Sequence, residues 1–144
     1  MKCLILGAGL VGSAIALDLA MDQDMDVTVA DVNQSSLDKL KSQHIDVIHA
    51  DLSDPQTLKS TVMGFDIIVG ALPGDLGFET LKSIIETGKN VVDVAFFAED
   101  AFKLDELAKN NNVTAVVDCG VSPGFSSIIL GHLHSSLEKI DSYT

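Results

Sequence analysis

The sequence has no arginine and no tryptophan, and only two cysteines and three prolines in 144 residues. All nine basic residues are lysines, set against 21 aspartates and glutamates, for a formal net charge of -12. A chain with so little basic surface cannot replace the counterions of a nucleic acid, which excludes nucleic-acid binding. Lacking guanidinium groups, it also cannot grip a phosphate bidentately. Cys3 and Cys119 stand far apart and outside any CxxC pair, which argues against a zinc centre or a disulfide framework and for reduced thiols in a cytoplasmic protein. His132 and His134 are two apart on a helical pattern and share no face, so no metal site is expected. No apolar run approaches the ~20 residues of a membrane span. Met1-Lys2 leads directly into a strand pattern without a signal sequence.

What is present is a regular alternation. The chain is 47% hydrophobic and 21% charged, a profile of one folded domain with one core. Six short apolar runs read as buried parallel strands: Cys3 to Leu6, Val27 to Ala30, Val47 to His49, Ile67 to Val69, Val91 to Val94 and Val113 to Val117. Helical stripes lie between them. Val11, Ala14, Ile15 and Leu19 form the first, Leu37 and Leu40 the second, and Leu58 and Val62 the third. Leu81, Ile84 and Ile85 form the fourth, and Leu104, Leu107 and Ala108 the fifth. Asp54-Pro55 reads as a helix cap with proline in the first turn, Gly88 as a stop, and Ser122-Pro123 as the opening of a sixth helix. The pattern predicts an α/β fold over residues 1–140, a Rossmann doubly wound parallel sheet of about six strands in the order 3-2-1-4-5-6.

Gly7-Ala8-Gly9-Leu10-Val11-Gly12 falls between the first strand and the first helix, the context a GxGxxG phosphate loop requires. Gly7 allows the tight turn, Gly9 lets backbone approach a pyrophosphate, and Gly12 lets the helix pack close to the strand. Leu10, Val11 and Gly12 open a helix whose free N–H groups attract an anion. Asp31 ends the second strand, at the spacing expected of the acid that accepts from the adenosine ribose hydroxyls. The same carboxylate repels a 2′-phosphate, so NAD is expected as cofactor ahead of NADP. Lys39 and Lys41 are the nearby cations that would weaken that preference. Asp51, ending the third strand, edges an adenine pocket or simply turns the chain. Ala71, Leu72 and Pro73, leading into Gly74, suit a loop passing close to the cofactor.

Asp93 and Asp118 end the fifth and sixth strands, where carboxylates face the usual ligand crevice and could hold a cationic amine; helix or loop capping is the competing role. Gly120, Pro123 and Gly124 make a turn that starts a helix, with N–H groups directed into the crevice. Cys119 reads as a small buried hydrophobe, and Phe96 and Phe97 as packing residues.

Together these segments resemble the saccharopine dehydrogenase-like family, and within it the lysine 6-dehydrogenase branch. The resemblance runs through the glycine loop, Ala50 to Asp54, Ala71 to Gly74, Gly88 to Asp93 and Asp118 to Gly124. It implies an NAD(P)-dependent oxidoreductase acting on an amino-acid amine by hydride transfer. It also implies that Ser122-Pro123-Gly124 lies near the nicotinamide and leads into a substrate domain. That domain is expected beyond Thr144, so the chain reads as a truncated cofactor half, binding dinucleotide without turnover. The catalytic residues stay unknown. The implied partner is a small amino-acid substrate in the full-length enzyme, with no membrane; a homodimer is compatible. The rival reading is a regulatory NAD-binding module of a potassium-transport protein, against which Pro73-Gly74 and the Gly120–Gly124 turn argue. A short-chain reductase-like sensor is a third, lacking the Tyr-x-x-x-Lys pair because the sole tyrosine is Tyr143.

Overall fold

The computed structural model describes residues 1–139 and 141–142; Tyr143 lies outside them. Its centre is strand β1 (Lys2–Leu6), flanked on one side by β2 (Asp26–Asp31) and β3 (Asp46–His49). On the other side come β4 (Ile67–Gly70), β5 (Asn90–Asp93) and β6 (Ala115–Val116). All pairings are parallel, and the six-stranded sheet has the order β3-β2-β1-β4-β5-β6. The expected Rossmann-like architecture is therefore the observed one.

Strand periodicity explains the two-sided core. Leu4 and Leu6 of β1 point to one face, where they join Leu58, Val62, Leu81, Ile84 and Ile85. Cys3 and Ile5 point to the other, joining Ala16, Val29, Leu37 and Leu40. Each fully buried leucine or isoleucine contributes roughly 1.5–3 kcal/mol. The first face is covered by α3 (Pro55–Val62) and α4 (Gly74–Glu86), tied together by a Lys59–Glu86 ion pair at 2.7 Å. The second is covered by α1 (Leu10–Leu19) and α2 (Gln34–Lys41). The Asp54 carboxylate caps α3 by accepting from the Thr57 amide at 2.8 Å, with Pro55 in the first turn. Gly88 follows the Thr87 cap of α4.

Three local expectations differ. Helix α1 turns Gly12 and Ala16 inward while Val11 is 55% exposed, because small residues let this helix sit against β1 and the loop beside it. The sixth strand is two residues long instead of five. The Thr114 amide is drawn to Asn90 Oδ1 at 2.9 Å, and Asp118 takes a left-handed φ of 57°. Helix α6 begins at Phe125 and runs to Ser136, after a turn rather than at Ser122-Pro123. A 3-10 turn, Ala101–Leu104, precedes α5 (Asp105–Asn110). Among the described residues no helix is long and apolar enough to cross a membrane.

Candidate functional site

The strand order reverses between β1 and β4, which leaves a crevice at the carboxyl ends of those strands. Gly7 enters it with φ 109°, its amide donating to Ala30 O at 2.8 Å. This conformation suits only glycine, and a side chain here would also press on the Ala71 carbonyl. Gly9 is different: a β-carbon built on it meets nothing within 4 Å. The helical ladder of α1 opens with the Ser13 amide donating to Gly9 O at 2.9 Å. The amides of Leu10, Val11 and Gly12 thus have no acceptor among the described residues, and they face outward at the positive end of the helix. Leu10 is 95% exposed. Gly12 is buried, and a β-carbon there would collide with Gly7 O. The open space at Gly9 and the unpaired amides beside it fit a diphosphate.

Asp31 ends β2 against this loop. Its Oδ2 accepts from the Ala8 amide and its Oδ1 from the Asn33 amide, both at 2.6 Å. The carboxylate therefore organises the glycine loop as well as facing the crevice. Asp31 lines a cavity of about 330 Å³ together with Asp51, Leu72 and Pro73. The structure thus brings these four expected residues into one place. Ala71 stands next to them, its amide donating to Leu6 O at 2.9 Å. Val32, Leu52, Ser53 and Leu76 complete the cavity wall, and the sequence reading missed them. Val32 and Leu52 carried a usable signal, each being an apolar residue directly after an acid, Asp31 at the end of β2 and Asp51 two residues past β3. Leu76 carried none, lying in the first turn of α4. Lys39 and Lys41 sit in the last turn of α2 and do not line the cavity.

The distal carboxylates separate. A strand-end position predicts an open carboxylate, yet Asp93 is 1% exposed. Its Oδ1 accepts from the Ala95 amide at 2.7 Å, and its carboxyl lies over Gly70, where a β-carbon would occupy the same space. Burial pushes its pKa up to about 6; the Ala95 hydrogen bond opposes this and the charge of Asp118 adds to it. Asp118 is exposed. In the turn that follows, Gly124 has φ 121°, and a side chain there would meet the Asp118 and Gly120 carbonyls. The Phe125 amide donates to Gly120 O at 2.9 Å and the Ser126 amide to Val121 O at 3.1 Å. These first amides of α6 are therefore taken by the turn itself instead of being directed into the crevice. Pro123 is half-buried within the same turn. Cys119 is exposed, contrary to its reading as a buried hydrophobe, because β6 ends before it; Cys3 is buried. Phe97 packs edge-to-face on Phe78 with centroids 5.7 Å apart, whereas Phe96 is 74% exposed.

A second cavity, about 320 Å³, lies between α4, α5 and β6, lined by apolar residues such as Leu81, Ile85 and Val113. It has no glycine turn and no strand-end carboxylate, so the crevice at β1 and β2 is the candidate site. Among the described residues no group of three or more His, Cys, Asp or Glu is placed to hold a metal ion.

Sheet order and glycine corner together define a Rossmann-like α/β domain of the nucleotide-cofactor class. The chain belongs to the saccharopine dehydrogenase NADP binding domain family, whose family model matches residues 3–116. It is 28% identical to a saccharopine dehydrogenase [NADP(+), L-glutamate-forming] of Pyricularia oryzae, over 97% of this chain and 32% of that protein. The corresponding Saccharomyces cerevisiae enzyme is 23% identical over 97% of this chain and 32% of its own length. The fold is similar to that of apo saccharopine dehydrogenase from S. cerevisiae, with a TM-score of 0.79 and 23% identity over 93% of this chain and 31% of that one. The chain therefore spans about a third of the length of these relatives. The family match favours the dehydrogenase reading and lends nothing to the potassium-transport one.

Proposed function

We propose that the chain is the NAD(P)-binding part of an amino-acid dehydrogenase that oxidises a CH–NH centre of a lysine- or saccharopine-like substrate. The observation that carries this reading is the corner where unpaired α1 amides, open space at Gly9 and the Asp31 carboxylate converge. When bound, the nicotinamide dinucleotide supplies the hydride acceptor. The protein's own part is to orient it: the Leu10, Val11 and Gly12 amides hold the diphosphate, and Asp31 faces the ribose hydroxyls. Leu72 and Pro73 line the cavity beyond. Residues 1–140 form this cofactor domain, and the substrate domain lies outside it. Asp118, exposed at the end of the sheet, is the carboxylate available to a substrate amine; Asp93 is too deeply buried to meet one directly. The lysine 6-dehydrogenase resemblance read from the sequence and the saccharopine dehydrogenase relatives both suggest a lysine- or saccharopine-type substrate.

The cofactor preference we propose is NAD over NADP, although the relatives are named for NADP(+). Asp31, facing the ribose in this reading, would repel a 2′-phosphate carried there. Asp51 adds a second negative charge to the same cavity; the chain has no arginine, and among the described residues no lysine lines the cavity. Calorimetric titration is expected to show NAD binding at least about tenfold tighter than NADP. Asp31→Asn, which keeps an acceptor for the Ala8 amide, is expected to narrow that gap. Tighter binding of NADP to the unaltered chain would overturn the preference, and absence of binding to either dinucleotide would overturn the function.

A further inference from the structure

Helices α1 to α4 each sink residues into the cores on either side of the sheet, but α6 (Phe125–Ser136) buries none. It is apolar all the same. Ile129, Leu130 and Leu133 form a half-buried stripe at helical spacing, and neither core includes them. Ile128 points away from that stripe and is 70% exposed, with Phe125 beside it 58% exposed. An isolated helix of this length is marginal in water, so the open face of α6 calls for a cover.

Charge narrows what the cover is. From Cys119 to Leu137 the sequence carries no aspartate, glutamate or lysine, its longest stretch without one. Elsewhere a chain of net charge -12 repels its own copy. A two-fold pair must be complementary to itself, and an uncharged apolar face meets that condition where an acidic face does not. Gly131 is a separate observation. It stands in the middle of α6, where glycine is a poor helix former. A β-carbon built on it meets nothing within 4 Å, so no close contact among the described residues accounts for it. It lies one turn from Ile128 on the same exposed face. The missing side chain lets the backbone of another helix cross closely there.

We propose that α6 is a self-association surface whose occupant is α6 of a second copy of this chain, packed antiparallel about a two-fold axis near Gly131. Antiparallel packing sets the positive end of each helix beside the negative end of the other. A helix of this length spans about 18 Å, which gives an interface below the standard stable size. The dimer is therefore expected to be weak, with a Kd on the order of 10 μM. This association is independent of the dinucleotide.

The test is sedimentation velocity on the 144-residue chain, loaded from about 1 to 300 μM so as to bracket that Kd. The chain is expected to pass from monomer to dimer and no further, because a two-fold contact closes. Ile128→Glu sets like charges face to face and is expected to stay monomeric throughout. Met21→Glu adds the same charge at another exposed residue and is expected to dimerise within about twofold of the unaltered chain. Alanine is a better helix former than glycine, yet Gly131→Ala is expected to weaken the dimer at least about fivefold by holding the two backbones apart. An unaltered chain that is monomeric over the whole range overturns the proposal and leaves the open face to a partner of another kind. Dimerisation undiminished in Ile128→Glu, or lost equally in Met21→Glu, removes α6 as the surface. Should Ile128→Glu lose helix by circular dichroism, Gly131→Ala decides, and an unchanged Kd in that variant overturns the crossing.

Discussion

Gly9→Val is expected to leave the fold intact and remove dinucleotide binding, while Gly12→Ala three residues away strongly destabilises the fold. The two glycines are close in sequence and opposite in surroundings. A β-carbon at Gly9 meets nothing within 4 Å, and the residue has an ordinary extended conformation, with φ -72°. Valine there costs about 1 kcal/mol or less as a poorer helix cap, so thermal unfolding should barely move. Its side chain fills the space a diphosphate needs against the α1 amides. Losing two hydrogen bonds to a charged ligand corresponds to at least about a 100-fold loss of affinity. At Gly12 the added carbon runs into Gly7 O, backbone that is itself held by the bond to Ala30. Overpacking against rigid backbone destabilises by about 3 kcal/mol. Calorimetry and thermal melts on the two variants check both halves. Undiminished binding by Gly9→Val would remove the diphosphate from this loop, and a Gly12→Ala variant as stable as the parent would show that α1 does not press on β1.

Asp93→Asn is expected to stabilise the protein at pH 8 and to have little effect at pH 4. Burial raises this carboxyl from 3.8 in the unfolded chain to about 6 in the fold. Below the lower value both states hold the proton and nothing is lost. Between the two values the unfolded chain releases its proton while the fold retains it, so stability falls as pH rises. Above about pH 6 the fold carries a buried charge, and the full penalty, on the order of 3 kcal/mol, applies. Asparagine keeps the acceptor for the Ala95 amide and removes the charge. At roughly 2–4 °C per kcal/mol, the gain in melting temperature at alkaline pH is easily read. A gain that is the same at pH 4 and pH 8 would mean that Asp93 is not the ionisable group the fold encloses. The observation matters for function because Asp93 lies beneath the loops after β4, β5 and β6: its carboxyl covers Gly70, and its backbone carbonyl accepts from Cys119 at 3.1 Å.

Much of this protein could be read from residues near one another in the chain. The six β-branched runs, the Leu37/Leu40 and Leu81/Ile84/Ile85 stripes and the Asp54-Pro55 cap express periods of two and 3.6 residues and a single capping bond. Such signals act over a few residues and survive in the folded state. The GxGxxG turn was legible for the same reason, since its chemistry lies in consecutive backbone. What tertiary structure alone decided involves neighbours 19 or more positions apart. Asp93 is buried because Gly70 of the adjacent strand has no side chain to hold it off. Phe97 packs while Phe96 does not, because Phe78 on α4 faces only one of them. Asp31, Asp51, Leu72 and Pro73 share a cavity because the order β3-β2-β1-β4 brings three separate strand ends to one crevice. Local pattern reports which face of an element is apolar. Which elements then meet, and which carboxylate is left open to a ligand, follows from the packing of the whole sheet.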